Sequence, residues 1–252
     1  MVVRTTANIR RFHPDWTDEQ VQKVCMQQFA DLGRLHAEYA VLHRLIGAGR
    51  VKFENEELAL RAVKAGPTIF LGVHTGHFEL IGPVARHFGV PAFFTYEPQP
   101  SAMQNYLRHK LWLRNTAPGS VCMPPSPAAA VEALRWLRSG KALLLFGDDA
   151  IDNNVLAPFF WSLPQIRGNY AVAARFARAA NARIITFHVV REKGVRFRVV
   201  FGPEIELPPT DDSKRSLLDD VVKINSALEP IIREHLAQWY WLNWRLPEMT
   251  YP

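Results

Sequence analysis

Apolar residues near the start of the chain recur at steps of mostly three and four: Val21, Val24, Cys25, Phe29, Leu32, Leu35, Tyr39, Leu42 and Ile46. Thr17 and Gln20, just ahead of them, fit a capping box, so the pattern predicts one long amphipathic helix. A short helix is expected from about Asn55 to Gly66, where glycine suits a left-handed cap. Thr68 to Val73 is then an apolar run of the kind buried on both faces of a parallel sheet. It leads straight into His74.

Helix and strand signals alternate from there. Helices are expected near 77–88, 102–113, 127–139 and 168–180, and strands at Ala92–Tyr96, near 120–123, at Ala142–Phe146, at 183–190 and at 195–202. Gly194 marks a hairpin between the last two strands. A Pro-rich, acidic connector at 203–213 precedes a helix from about Lys214 to Trp239, which ends in the aromatic run Trp239, Tyr240, Trp241, Trp244. This alternation predicts an α/β fold with a central, mostly parallel mixed sheet flanked by helices. No repeat or low-complexity linker interrupts it, so residues 1–252 are expected as one domain, with the long N-terminal helix packed on the side of the sheet.

Composition narrows the function. With 252 residues, 48% hydrophobic and 21% charged, the chain can bury a large core and falls outside the disordered, collagenous and coiled-coil classes. A net charge of +6 favours polyanionic partners such as phosphates or an anionic membrane surface. Cys25 and Cys122 stand alone, without metal-ligand spacing, which argues against a disulfide framework and for a reducing, cytoplasmic-side location. No segment approaches the roughly 18 apolar residues of a membrane span, so no transmembrane helix is expected and the chain reads as soluble or peripheral.

The most informative segment runs from Leu71 to Leu80. It places His74 at the end of a buried strand, Gly76 in the turn and Glu79 in the first turn of the next helix. Strand ends in open α/β sheets are where ligands bind, because the loops there diverge. A turn at Gly76 would bring the Glu79 carboxylate to the His74 imidazole, giving a general base with an orienter. The plainer alternative is a satisfied strand-end histidine and a glutamate favoured by the helix dipole, and spacing alone leaves both open. His74 and His77 have the spacing of a ligand pair, but no third ligand follows, so no metal site is expected.

Two other features carry chemistry. Residues 167 to 198 hold Arg167, Arg175, Arg178, Arg183, Arg191, Lys193, Arg196 and Arg198 against the single acid Glu192. They read either as a surface for lipid phosphates or an acidic protein, or as an ordinary solvated face. Trp239, Tyr240, Trp241 and Trp244, with Phe12 and Trp16, read as core packing or as an interfacial aromatic belt.

Taken together, these blocks resemble the bacterial lipid A late acyltransferases, the lauroyl and myristoyl transferases, within the wider lysophospholipid acyltransferase group. That family carries an H-x4-D/E motif after an apolar strand, here His74-Thr-Gly-His-Phe-Glu79. Phe12 to Arg34 resembles the family's opening helix, and Glu38 falls where a glutamate is usual. Leu143 to Asp149 resembles the strand ending in Asp-Gln, with Asp148 at the aspartate and Asp149 replacing the glutamine. Pro158-Phe159-Phe160 through Arg167-Gly168 resembles the Pro-Phe-Phe-Gly block, and Arg191 follows the next strand as the family arginine does. Gln238 to Arg245 resembles Gln-Trp-x-Trp-x-His-x-Arg, with Asn243 in place of the histidine.

The resemblance implies a glycerol-phosphate-acyltransferase-like fold. It also implies transfer of a fatty acyl group from an acyl carrier protein or coenzyme A thioester to a hydroxyl of an anionic glycolipid, with no other cofactor. His74 and Glu79 would be catalytic, and Arg114, Asp148, Arg167, Gly168 and Arg191 would bind substrate. The thioester oxygen would be stabilised by backbone N–H groups after Gly76 or by a nearby cation. Location would be the cytoplasmic face of the inner membrane. Family members usually begin with a membrane-spanning helix, so either that helix has been removed here or this member attaches peripherally. The alternatives are acylation of another glycolipid or lysophospholipid, or an inactive lipid binder of the same fold. No nucleophile elbow, dinucleotide fingerprint, P-loop or nucleic-acid-binding signature occurs, so no nucleic-acid partner is expected.

Overall fold

The computed structural model describes residues 1–98, 100–208 and 213–250. Two helices open it, α1 (Val2–Phe12) and α2 (Asp18–Glu38), followed by a 3₁₀ turn at Tyr39–Val41 and the short α3 (Leu42–Leu45). Strand β1 (Val51–Glu54) and α4 (Glu56–Ala65) lead to β2 (Thr68–Gly72). A 3₁₀ turn at Phe78–Leu80 and α5 (Ile81–His87) lead to β3 (Ala92–Thr95). Next come α6 (Ala102–Asn115), β4 (Val121–Met123), α7 (Pro127–Arg138) and β5 (Ala142–Phe146). The two-residue strands β6 (Ala150–Ile151) and β7 (Asn154–Val155) form a small separate hairpin. Helix α8 (Gly168–Ala180), strands β8 (Arg183–Arg191) and β9 (Phe197–Glu204), helix α9 (Ser213–Glu234) and two 3₁₀ turns, Leu236–Gln238 and Tyr240–Asn243, complete the fold.

Seven strands form one sheet in the order β1-β9-β8-β2-β5-β3-β4. Strands β8, β2, β5, β3 and β4 run parallel, and β9 turns back antiparallel to β8 with β1 parallel to it at the edge. This is the mostly parallel mixed sheet that the alternating apolar runs predict. All five residues of β2 are buried. Alternate residues feed opposite faces: Ile69 and Leu71 join Leu137, Ala174 and Leu228 in one core, while Phe70 joins Leu42, Ala59 and Val84 in the other. Helix α8 buries Ala171, Ala173, Ala174 and Ala177, whose small side chains allow close approach to the sheet.

The departures from the sequence reading have local causes. The capping box forms as expected, with Thr17 and Gln20 exchanging hydrogen bonds, but the helix does not run unbroken to Ile46. It breaks just after Glu38, whose carboxylate is held by Arg191, and the 3₁₀ turn then carries Leu42 and Leu45 into the second core. Helix α9 likewise stops at Glu234 rather than Trp239, because the following residues are tied to the ends of β2 and β5, as set out below. Helix α1, strand β1 and the β6–β7 hairpin are additions. Two of the buried positions of α1 are polar, Thr5 and Asn8; Asn8 donates to the carbonyls of Leu242 and Trp244. Residues 209–212 of the expected Pro-rich connector lie outside the described residues. No described helix is long and apolar enough to cross a membrane.

Candidate active site

The site follows from strand register. Gly72 at the end of β2 pairs with Phe146 at the end of β5, and the Gly147 N–H donates to the Gly72 carbonyl at 2.8 Å. Two residues beyond each pairing point stand His74 and Asp148, so parallel register sets them side by side. The His74 backbone N–H donates to both Asp148 carboxylate oxygens at 3.0 Å, and its Nδ1 lies 2.9 Å from Oδ1. Asp148 is wholly buried, and the Trp239 indole donates to its Oδ2 at 2.8 Å. A carboxylate only accepts, so this contact places the proton on Nδ1 and leaves the Nε2 lone pair as the basic site. The Trp241 indole, 3.4 Å from the Asp148 carbonyl, then donates there rather than to the protonated Nδ1.

Aromatic rings wall the imidazole. Phe146 stacks on it at 4.1 Å between centroids, and Phe78 and Trp241 meet it edge-on at 4.6 and 5.2 Å. The His74 side chain is 16% exposed, enough to be reached by a substrate while largely desolvated. The turn after it requires glycine: Gly76 has φ +56°, and a Cβ there would lie 2.4 Å from the Val189 carbonyl oxygen. The Gly76 N–H donates to the Gln238 carbonyl at 3.2 Å, so this amide is committed within the fold.

Glu79 stands elsewhere than expected. It lies in the 3₁₀ turn before α5 and pairs with Arg108 of α6 at 3.0 Å, and no hydrogen bond or ion pair joins it to His74. Burial pushes its carboxyl up, against the pull of the Arg108 and His74 charges. The carboxylate that touches the imidazole is therefore Asp148, which the sequence reading placed among the substrate contacts. Arg108, and the indoles of Trp239 and Trp241 as fasteners of the site, went unread.

The other expected residues divide. Arg114 and Arg167 are exposed, and neither takes part in an ion pair among the described residues. Gly168, with φ +71°, lets the Asp149 carboxylate approach so closely that a Cβ would sit 2.8 Å from Oδ2. Asp149 there accepts the Asn169 N–H at 3.0 Å, capping α8. Arg191 faces inward: its guanidinium is held by Glu38 at 2.7 and 2.9 Å and lies 3.2 Å from Asp31. It cannot meet a ligand in this arrangement, because it is only 5% exposed. His77 is fully buried 3.9 Å from Glu38, turned to that cluster rather than to His74, and burial and the Arg191 charge push it down to about 3.

Elsewhere in the basic segment, Arg178 pairs with Asp220, Arg183 with Glu204, and Arg198 with Glu54 and Glu192. Those arginines are paired with carboxylates of the fold, the pairs of Arg183 and Arg198 at its surface. The closing aromatics do not form a belt: Trp239 is completely buried, and Tyr240, Trp241, Trp244, Phe12 and Trp16 are each partly buried against neighbours.

Asp149 gives a pH prediction. Burial, with the Asp148 charge, raises its carboxyl to about 6, against the stabilising Asn169 N–H. Its folded value exceeds its unfolded value, so its contribution to stability is complete below the unfolded value of 3.8 and is lost as the pH rises through about 6. Asp149→Asn keeps an acceptor for Asn169 and removes the charge. The variant is expected to be more stable than wild type by roughly 1–3 kcal/mol at neutral pH, with the advantage fading toward pH of about 4. Thermal melts across that range check this; parallel curves would refute it.

An imidazole whose Nδ1 is fixed by a buried carboxylate, at the carboxyl ends of adjacent central strands, has the geometry that general-base chemistry uses on an open α/β sheet. The chain belongs to the family of bacterial lipid A biosynthesis acyltransferases, which it matches over residues 3–247. It is thus an acyltransferase. No curated protein matches it at a significant level.

Proposed function

We propose that this chain transfers a fatty acyl group from an acyl carrier protein or coenzyme A thioester to a hydroxyl of a lipid A precursor or related glycolipid, with His74 as the general base. The observation that supports this most is the 2.9 Å contact between His74 Nδ1 and Asp148, which frees Nε2 to take a proton. As the acceptor oxygen bonds to the thioester carbon, its proton passes to Nε2. Collapse of the tetrahedral intermediate breaks the C–S bond, and the imidazolium returns that proton to the departing sulfur. No covalent acyl-enzyme and no further cofactor is required.

Asp148 orients the base and balances the imidazolium. Glu79 acts on the imidazole only through its charge, from its place on Arg108. Arg108 is the cation held beside it, available to a developing oxyanion. The exposed Arg114 and Arg167 are assigned to the acceptor's anionic groups. The acceptor being a lipid, the protein would work peripherally at the cytoplasmic face of the inner membrane.

The test incubates wild type and His74→Ala with a mixed pool of acyl carrier protein and coenzyme A thioesters plus lipid A precursor, read by mass spectrometry. The expected result is a mass gain of one acyl group that disappears in the variant. Thiol release without that product would overturn the acceptor and leave the base. No thiol release from folded wild type would overturn the reaction in favour of lipid binding alone.

A further inference from the structure

Helix α6 is turned inside out relative to an ordinary surface helix. Its sequence holds Arg108, Lys110 and Arg114 and no acid. One side faces the protein: Arg108 reaches Glu79, Trp112 meets Phe94 edge-on at 6.2 Å, and Asn115 is buried. The other side presents Met103, Tyr106, Leu107 and Leu113, exposed by 67, 57, 53 and 51%. Positions 103, 106, 107, 110, 113 and 114 share one helical stripe, so the cations Lys110 and Arg114 lie among these apolar side chains. Lys110 Nζ stands 5.5 Å from the Tyr106 ring centre. A helix in water turns its apolar stripe to the core.

We propose that this stripe is a membrane contact: α6 lies in the headgroup layer of an anionic bilayer, with Met103, Tyr106, Leu107 and Leu113 at the acyl boundary and Lys110 and Arg114 on lipid phosphates. Two features select this occupant. A helix bearing cations and no acid complements an anionic leaflet, and exposed large apolar groups beside cations are what interfacial helices bury in it. An acidic carrier protein would answer the charges but not four outward apolar side chains. The closing aromatics, which the sequence offers as a membrane face, are spent on the interior and on walling His74. Because Arg108 ties the inner side of α6 to Glu79, a bilayer on the outer side brings lipid to the candidate site.

This goes beyond acyl transfer, and vesicle binding is read without turnover, so either reading can fail alone. The full chain is sedimented with vesicles of phosphatidylcholine containing roughly 30% phosphatidylglycerol and with phosphatidylcholine alone. Wild type is expected on the anionic vesicles. Met103→Ser/Tyr106→Ser/Leu107→Ser is expected to weaken binding by at least about tenfold, and Lys110→Glu by a smaller factor that high salt erases. Val131→Ser on α7, an exposed apolar site away from the stripe, is expected to bind as wild type. Melting temperatures confirm folding. Equal binding by the triple variant would overturn the proposal. So would a wild type that ignores vesicles while the triple variant loses affinity for acyl carrier protein, since the stripe would then be a protein-docking face.

Discussion

Asp148→Asn is expected to cut kcat by roughly 10²- to 10⁴-fold, close to the loss in His74→Ala, with KM for the thioester little changed. The reason is a proton's position. Asp148 accepts from Nδ1 at 2.9 Å, and this contact keeps Nε2 unprotonated toward the substrate. An asparagine of the same size turns an amide N–H toward the ring, because its oxygen is drawn to the Trp239 indole and the His74 backbone N–H. Nδ1 must then accept, the proton moves to Nε2, and the base is lost while the shape survives. Glu79→Gln removes a charge but not the tautomer, and roughly tenfold is expected. Steady-state kinetics with matched melting curves decide. If Glu79→Gln loses more than a hundred-fold while Asp148→Asn stays within about tenfold, Glu79 is the orienter in the reacting state.

That comparison also marks where the sequence could be read and where it could not. Strands such as Thr68–Gly72 and Ala142–Phe146 are legible because burial on both faces leaves an unbroken apolar run, and the candidate base His74 stands just past the end of one of them. What cannot be read locally is which strand lies next to which. Chain order puts β3 and β4 between β2 and β5, yet the sheet places β5 directly beside β2. Asp148 meets His74 only through that adjacency, whereas Glu79 looked like the partner because it was near in sequence. The same blindness applies to α6: a period of three and four says that one side of a helix is apolar, not that this side faces inward. The tail shows it again, since Trp239 reads as core or interface until Asp148 claims its indole.

The second large effect is expected in stability rather than turnover. Arg191→Met should cost about 3–5 kcal/mol, because it leaves buried carboxylates without their cation. Asp31 keeps Arg34 at 2.9 Å and the Gln27 amide at 2.6 Å, so the exposure falls mainly on Glu38, whose remaining charged-capable neighbour is His77 at 3.9 Å. His77 is held neutral by burial and by the Arg191 charge, down to about 3. Its folded value lies below its unfolded value of 6.5, so wild type loses stability as the pH falls through that interval. Removing Arg191 lifts the largest charge that holds it down, His77 takes its proton at higher pH, and Glu38 regains a counter-charge. The gap between wild type and variant should therefore narrow as pH falls below 6.5 and be widest above it. Urea unfolding on both sides of that pH measures it, and Arg191→Met/Glu38→Gln should recover much of the loss by removing the orphaned charge as well. A single variant within about 1 kcal/mol of wild type would refute the role. The consequence reaches the site: the Gln238 side chain clasps the Arg191 backbone N–H and carbonyl at 2.8 and 3.0 Å, and the next residue is Trp239 on Asp148. A loosened β8 end would release the tail that fixes the carboxylate, so Arg191→Met should also lower kcat, through Asp148 rather than through any contact with substrate.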